Sequence, residues 1–225
     1  MDDCRITIAY DSEGLPGYQT GWGFSAVVER NGTSVVFDCG WDGRILRSNL
    51  ERLGISLVDI GTVVISHSHW DHVSGITEVL SDPRPEPVVV VVPSSFSHNL
   101  RREISRRAEV RVVDGPVEVA PGILSTGPLG SEVSEQSLVL PCDEGSVVIT
   151  GCAHPGVREI LERSSDFGRP TWLIGGLHDA RVVDLPECLE RLVVCHCTRE
   201  KAEALERFGD RASVGKVGQT FNPWP

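Results

Sequence analysis

The sequence has no long apolar run, no leader-like N-terminus and no surplus of positive charge. Its longest apolar run, Val88 to Val92, is far short of the roughly 20 residues a helix needs to cross a bilayer. It starts Met1-Asp2-Asp3-Cys4, acidic where a secretory leader would carry a basic segment and then an apolar one, so no leader is expected. With 32 acidic against 21 basic residues the net charge is −11, which disfavours binding a phosphate backbone across the surface. The seven cysteines, at 4, 39, 142, 152, 188, 195 and 197, are odd in number and scattered. They form no disulfide framework and point to reduced thiols in a cytoplasmic protein. No low-complexity linker divides the chain. One domain over residues 1–225 is therefore expected, with neither a membrane nor a nucleic acid as partner.

Short β-branched runs alternate with helical patterns and are separated by turn residues. Strands are predicted at Ile6–Tyr10, Phe24–Glu29, Ser34–Asp38, Val63–Ser66, Val88–Val92, Val110–Val113, Val117–Val119, Ile123–Ser125, Gln136–Leu140, Ser146–Thr150, Thr171–Ile174, Leu192–Cys195 and Ala212–Val214. Asn31-Gly32 marks a hairpin between the second and third of these. Helices are predicted at Asp42–Leu53, Ser74–Leu80, Ser94–Arg107, Pro155–Arg163 and Arg199–Phe208, the last capped by Thr198. The Arg101, Arg102, Arg106 and Arg107 side of the Ser94–Arg107 helix reads as a solvated face. Strand-rich halves with intervening helices imply two packed sheets with helices outside, an α+β, four-layer αββα sandwich. Its strand-end loops would share one rim.

His67-Ser68-His69-Trp70-Asp71-His72 follows the apolar run Thr62-Val63-Val64-Ile65-Ser66. A strand ending in this cluster delivers ligands to the sheet edge. Imidazole nitrogen and carboxylate oxygen suit Zn²⁺, Fe and Mn²⁺. His67 and His69, two apart, face one side of an extended chain, and Asp71 with His72 can turn toward a second position. One segment can thus seed two adjacent metal positions, as in two-metal hydrolysis. Cys152, Cys195 and Cys197 each lie close to a histidine. Strand alternation would turn Cys195 and Cys197 away from His196, into the core. His98 reads as a surface histidine.

The segment resembles the HxHxDH signature of the metallo-β-lactamase superfamily, and Phe37-Asp38-Cys39-Gly40 resembles that family's strand-end Asp-x-Gly element. Gly23-Phe24-Ser25, Thr150-Gly151-Cys152-Ala153-His154-Pro155-Gly156, Gly175-Gly176-Leu177-His178 and Cys195-His196-Cys197-Thr198 follow in order. Together they resemble the subgroup that includes 7,8-dihydropterin-6-methyl-4-(β-D-ribofuranosyl)aminobenzene 5′-phosphate synthase. The resemblance implies one or two divalent ions, Zn²⁺ first, with Fe or Mn²⁺ as alternatives. His67 and His69 would bind the first with a third histidine, and Asp71 and His72 the second with a final one. His154 is the candidate third histidine and His196 the final one. The family's bridging aspartate is replaced by Cys152, which would either ligate metal or be a neutral strand-end residue. Ser74 stands where a glycine is usual, but Gly75 remains.

Asp71 and His178 are the candidate catalytic residues. Asp71 would bind metal or orient a water. His178 would act as ligand, general acid, oxyanion stabiliser or phosphate contact, or simply be structural. Trp22, Trp70, Gln136, Arg199 and Lys216 are other candidate rim residues. Three functions remain open: a metal-dependent hydrolase of an ester, amide or phosphoester; a synthase joining an activated pterin to an arylamine ribosyl phosphate; and a metal-binding scaffold without turnover. The expected partner is a small molecule that carries phosphate in some of these readings.

Overall fold

The computed structural model describes residues 4–224. The N-terminal half lays down β1 (Cys4–Tyr10), β2 (Ser25–Arg30), β3 (Thr33–Phe37), α1 (Gly43–Arg52), β4 (Thr62–Val64), α2 (Trp70–Val73), α3 (Ile76–Val79), β5 (Val89–Pro93), α4 (His98–Ile104) and β6 (Glu109–Val113). The second half adds β7 (Val117–Ala120), β8 (Ile123–Ser125), β9 (Leu138–Cys142), β10 (Gly145–Thr150), α5 (Val157–Ser164), β11 (Pro170–Gly175), β12 (Arg191–Val194), α6 (Lys201–Phe208), β13 (Ala212–Val214) and β14 (Thr220–Phe221). Among these residues are two seven-stranded sheets, ordered β14-β1-β2-β3-β4-β5-β6 and β13-β12-β11-β10-β9-β8-β7.

Strand periodicity builds the layers. Val64, Val91, Val147, Ile149, Ile174 and Val193 point into the apolar seam shared by the two sheets. Their neighbours Val63, Val90 and Val92 face outward onto Leu46, Leu50, Val73, Ile76 and Ile104 of the first helical layer. Val148, Leu173, Leu192 and Val194 face Val157, Ile160, Ala204 and Phe208 of the second. Central strands buried on both faces read as unbroken apolar runs. The result is the expected αββα sandwich.

Both sheets change from antiparallel to parallel partway across. β3, β4, β5 and β6 run parallel in the first sheet, and β10, β11, β12 and β13 in the second. Carboxyl ends of parallel strands therefore collect at one rim, the usual place for a ligand in such sheets.

Local differences from the sequence reading have local causes. Asn31 and Gly32 both have positive φ, 51° and 76°, as a two-residue hairpin turn requires. The predicted helix Ser74–Leu80 shortens to α3, and a separate short helix, α2, precedes it; the two break at Ser74-Gly75, where the Gly75 Cα leaves room for the Cys39 carbonyl. The fourth helix starts at His98, because Ser97 caps it by accepting from the Leu100 N–H. Thr198 does not cap α6; its hydroxyl accepts from the Leu177 N–H, and α6 begins after Glu200. The C-terminal tail carries β14, which pairs with β1 through Ile6 and Thr7.

Candidate metal centre

Five parallel strands end at the site. β3 leads to Asp38, β4 to Ser66 and His67, β10 to Cys152 and His154, β11 to His178, and β12 to His196. The chain remains extended at His69 (φ −68°, ψ 146°), which stands just before α2. This places His67 and His69 on extended backbone and Asp71 and His72 on the first helical turn, so one segment serves two positions. Gly23 lets the β2 entry lie against this turn: its φ is +126°, and a Cβ there would stand 2.1 Å from the Asp71 carbonyl oxygen.

Two groups of donor atoms result. His67, His69 and His154 form one, and Asp71, His72, Cys152 and His196 the other, with ligand atoms within 4.8 Å of one another in each group. In the first, His67 Nε2 lies 3.1 Å from His69 Nδ1, and the His154 ring is centred 4.8 Å from both neighbours' rings. In the second, Cys152 Sγ lies 3.2 Å from His72 Nε2 and 3.5 Å from His196 Nε2. Asp71 Oδ2 is 3.6 Å from each of those nitrogens. The groups touch through His67 and His72, whose ring centres are 4.3 Å apart. His178 joins from the rim, 5.0 Å from the His154 ring, with Nδ1 bonded to Asp179 Oδ2 at 2.8 Å. Six of the seven histidines thus form one connected set. His98 is apart, exposed at the start of α4.

Asp38 orients one histidine of each group. Fully buried with a left-handed backbone (φ 60°), it accepts from the Ser66 N–H at 2.7 Å and the Ser66 hydroxyl at 2.6 Å. Its Oδ2 also accepts from His72 Nδ1 at 2.6 Å. Because the Ser66 proton is spent on Asp38, His67 Nδ1 must donate to the Ser66 oxygen, 2.9 Å away. Both imidazoles therefore carry the proton on Nδ1 and present a bare Nε2 to the site, the arrangement that a carboxylate behind a metal-binding histidine enforces.

Glu135 does for the second sheet what Asp38 does for the first. Its buried carboxylate accepts from the backbone N–H groups of Gly151, Cys152, Ala153 and His154, all at 2.9–3.0 Å. It thereby moulds the loop that presents Cys152 and His154, including Ala153 at φ 58°. Asp11 accepts from the His196 N–H at 3.0 Å and anchors the third loop. Neither residue carried a sequence signal: each is a single acidic residue whose backbone partners are distant in the chain.

The electrostatics divide the groups. Burial, then neighbouring imidazoles, lowers His67, and burial also lowers His69. The same causes bring His154 down to about 4. His196 goes the other way: burial opposes it, but Asp71 and Cys197 raise it to about 9. Asp71 is held at about 2 by His196 and His72, against its own burial. Cys197 is drawn down to about 4 by the Cys152 thiol and by His196, against burial, while Cys152 is pushed up. Cys195 lies in the core as expected. Cys197 is buried too, but at the edge of the site, where its Sγ meets Cys152 Sγ at 3.3 Å.

Other rim candidates separate on inspection. Gln136 is a buried tie, donating to the Ile65 carbonyl and accepting from the Ser125 hydroxyl. Arg199 pairs with Asp179 at 2.5 Å, and Lys216 is exposed. Trp22 sets its edge against His196 with ring centres 5.5 Å apart, and Trp70 is exposed.

The donor set suits a divalent ion. His154 Nε2 is buried with no hydrogen-bond partner among the described residues, a cost that coordination would remove. Nitrogen, oxygen and sulfur donors together match a borderline-soft cation. Residues 22–193 match the metallo-beta-lactamase superfamily, and the chain belongs to that family. It is 24% identical to the 7,8-dihydropterin-6-methyl-4-(beta-D-ribofuranosyl)-aminobenzene-5′-phosphate synthase of Methanocaldococcus jannaschii, over 96% of this chain and 97% of the relative. It is also 24% identical to an uncharacterised protein of the same organism, over 88% of this chain and 91% of that one. A solved structure described as a metal-dependent hydrolase of the β-lactamase superfamily superposes with a TM-score of 0.82, at 24% identity, covering 99% of this chain and 100% of that one. Members of the family bind divalent metals, and no helix among the described residues is long and apolar enough to cross a membrane.

Proposed function

We propose that this protein is a metal-dependent hydrolase of a small molecule bearing an ester, amide or phosphoester. The reading is carried by one observation: two donor groups lie in contact, with His72 held by Asp38 directly and His67 through Ser66, so that a bare Nε2 of each faces the site. His67, His69 and His154 would hold one ion, and Asp71, His72, Cys152 and His196 a second. When bound, such ions supply Lewis acidity and make a water acidic enough to ionise near neutral pH. Asp71, held ionised by His196 and His72, would accept a hydrogen bond from the reacting water at Oδ2 and orient it. His178 has Nδ1 engaged by Asp179, and as an imidazolium it would donate from Nε2 to a leaving group or to the developing oxyanion. Trp22, edge-on to His196, and the exposed Trp70 would wall a ring-bearing substrate. Zn²⁺- and Mn²⁺-loaded protein is expected to turn over nitrophenyl phosphodiesters or esters, with activity lost on chelation and in His69→Ala. A metal-replete protein inert toward that panel would overturn the reading.

A second reading has its own support, the full-length similarity to the pterin-pathway synthase. In that case the same walls would hold a pyrophosphorylated pterin for displacement by an arylamine ribosyl phosphate. Coupled product and released pyrophosphate, without hydrolysis of the pterin ester alone, would favour it. Tight metal binding with neither reaction would leave a non-catalytic scaffold.

A further inference from the structure

Cys197 belongs to neither donor group, yet its sulfur is 3.3 Å from that of Cys152. All seven cysteines are free thiols, and these two are both buried. They follow β10 and β12, which are separated by β11. The sulfurs meet across the end of β11 because Gly176 stands there: a Cβ on it would lie 2.5 Å from Cys197 Sγ. The Gly176 N–H donates to the Gly151 carbonyl at 3.1 Å, tying the β11 end to the Cys152 loop. Thr198 pins the Cys197 turn through the Leu177 N–H. Cys152 therefore sits between two alternatives, with His72 and His196 nitrogens on one side and a second thiol on the other.

We propose that Cys152 and Cys197 form a reversible disulfide, and that oxidation thereby withdraws Cys152 from Asp71, His72 and His196. The second half of this rests on the reading of Cys152 as a metal ligand. A disulfide needs about 2.05 Å between sulfurs, so side-chain rotation must close a gap of about 1.3 Å. The oxidant class is a peroxide, small enough to reach two buried sulfurs. Cys197, the more exposed of the two residues, attacks one peroxide oxygen with its sulfur; the O–O bond breaks, giving a sulfenic acid and a hydroxide that leaves as water with the thiol proton. Cys152 then attacks the sulfenic sulfur; the S–S bond forms, the S–O bond breaks, and a second water departs with the Cys152 proton. Hydrogen peroxide is reduced to two waters and two thiols are oxidised to one disulfide. A neighbouring resolving thiol is what directs a sulfenic acid to a disulfide and away from irreversible over-oxidation.

The test is hydrogen peroxide treatment of the Cys188→Ser protein, metal-free and zinc-loaded, read by peptide mapping and by zinc content. The expected product is a linked Cys152–Cys197 peptide, formed more slowly when zinc is preloaded and reversed by dithiothreitol. Zinc affinity of the oxidised protein at the second group should fall at least about tenfold. Cys197→Ser should give no link and should allow Cys152 to oxidise further. Recovery of Cys152 and Cys197 unlinked while Cys142 is modified would overturn the proposal. A link that forms with zinc affinity unchanged would keep the disulfide and overturn its coupling to metal, which is also the outcome expected if Cys152 is not a ligand.

Discussion

The two donor groups share one rim, one aspartate and one segment of sequence, yet they differ in chemistry. His67, His69 and His154 are all imidazoles, with His69 exposed and each held below the ordinary histidine range. Asp71, His72, Cys152 and His196 mix oxygen, nitrogen and sulfur, and three of the four are buried. The first group is a set of neutral donors waiting in place. In the second, carboxylate, imidazolium and thiols are already bonded to one another. An ion entering it must displace protons and internal hydrogen bonds, so the second group can be tuned by pH and redox state, and the first much less.

Asp38 is where this contrast can be broken for both groups at once. Asp38→Ala leaves the Ser66 N–H, the Ser66 hydroxyl and His72 Nδ1 without their buried acceptor. At about 1–3 kcal/mol for each unsatisfied buried group, with partial relaxation, the expected loss is about 3–5 kcal/mol in urea unfolding. Metal affinity should fall at least about tenfold at both groups, since both histidines lose their orienting partner. Asp38→Asn tolerates the left-handed backbone and should cost less. A loss in Asp38→Ala under about 1 kcal/mol would mean the network carries little of the stability assigned to it.

The pH dependence sharpens the contrast. A histidine must be neutral to donate Nε2 to metal, so binding releases any proton it carries. His154, at about 4, is already neutral near pH 7, and affinity at the first group should be nearly flat from there upward. His196, at about 9, is protonated at neutral pH. Affinity at the second group should therefore rise at least about tenfold per pH unit from neutrality to about 9, and go on rising above it because the Cys152 thiol, itself pushed up, must also lose its proton to bind. Zinc competition titrations of His69→Ala, reporting the second group, and of His196→Ala, reporting the first, separate the slopes. Equal slopes in both would remove the electrostatic distinction.

Legibility in the sequence follows the range of the interactions. The HxHxDH segment was readable because its geometry is local: an extended tripeptide, then a helical turn. The αββα layering was readable because two-sided burial leaves runs such as Val88–Val92 and Ser146–Thr150. His154 and His196 could be nominated because the family resemblance implies a third and a final histidine, and each of these follows an apolar strand. Cys197 misled because alternation stops where the strand does. β12 ends at Val194, and Thr198 N bonds back to the Cys195 carbonyl in a turn, which swings Cys197 toward Cys152. Glu135 and Asp11 were invisible because their partners are backbone amides far along the chain, as was β14, which pairs with β1 from the opposite end of the sequence.

Cys152 is where the contrast can be abolished from one side. Its N–H already serves Glu135, so a side-chain change leaves the loop's backbone bonding in place. Cys152→Ser substitutes a neutral, harder and weaker donor for a thiol that can ionise against metal. Affinity at the second group should fall about 10–100-fold, while the first group, built from His67, His69 and His154 alone, is unchanged. Cys152→Asp restores an oxygen donor but adds a carboxylate close to Asp71 and Glu135. The metal-free protein should therefore lose stability, because like charges share a buried site, and an ion should return it by neutralising them. The expected signature is an unfolding midpoint that responds to zinc more steeply in Cys152→Asp than in wild type, and less steeply in Cys152→Ser. If all three proteins respond alike, Cys152 is a packing residue, and any second ion is held by Asp71, His72 and His196 without it.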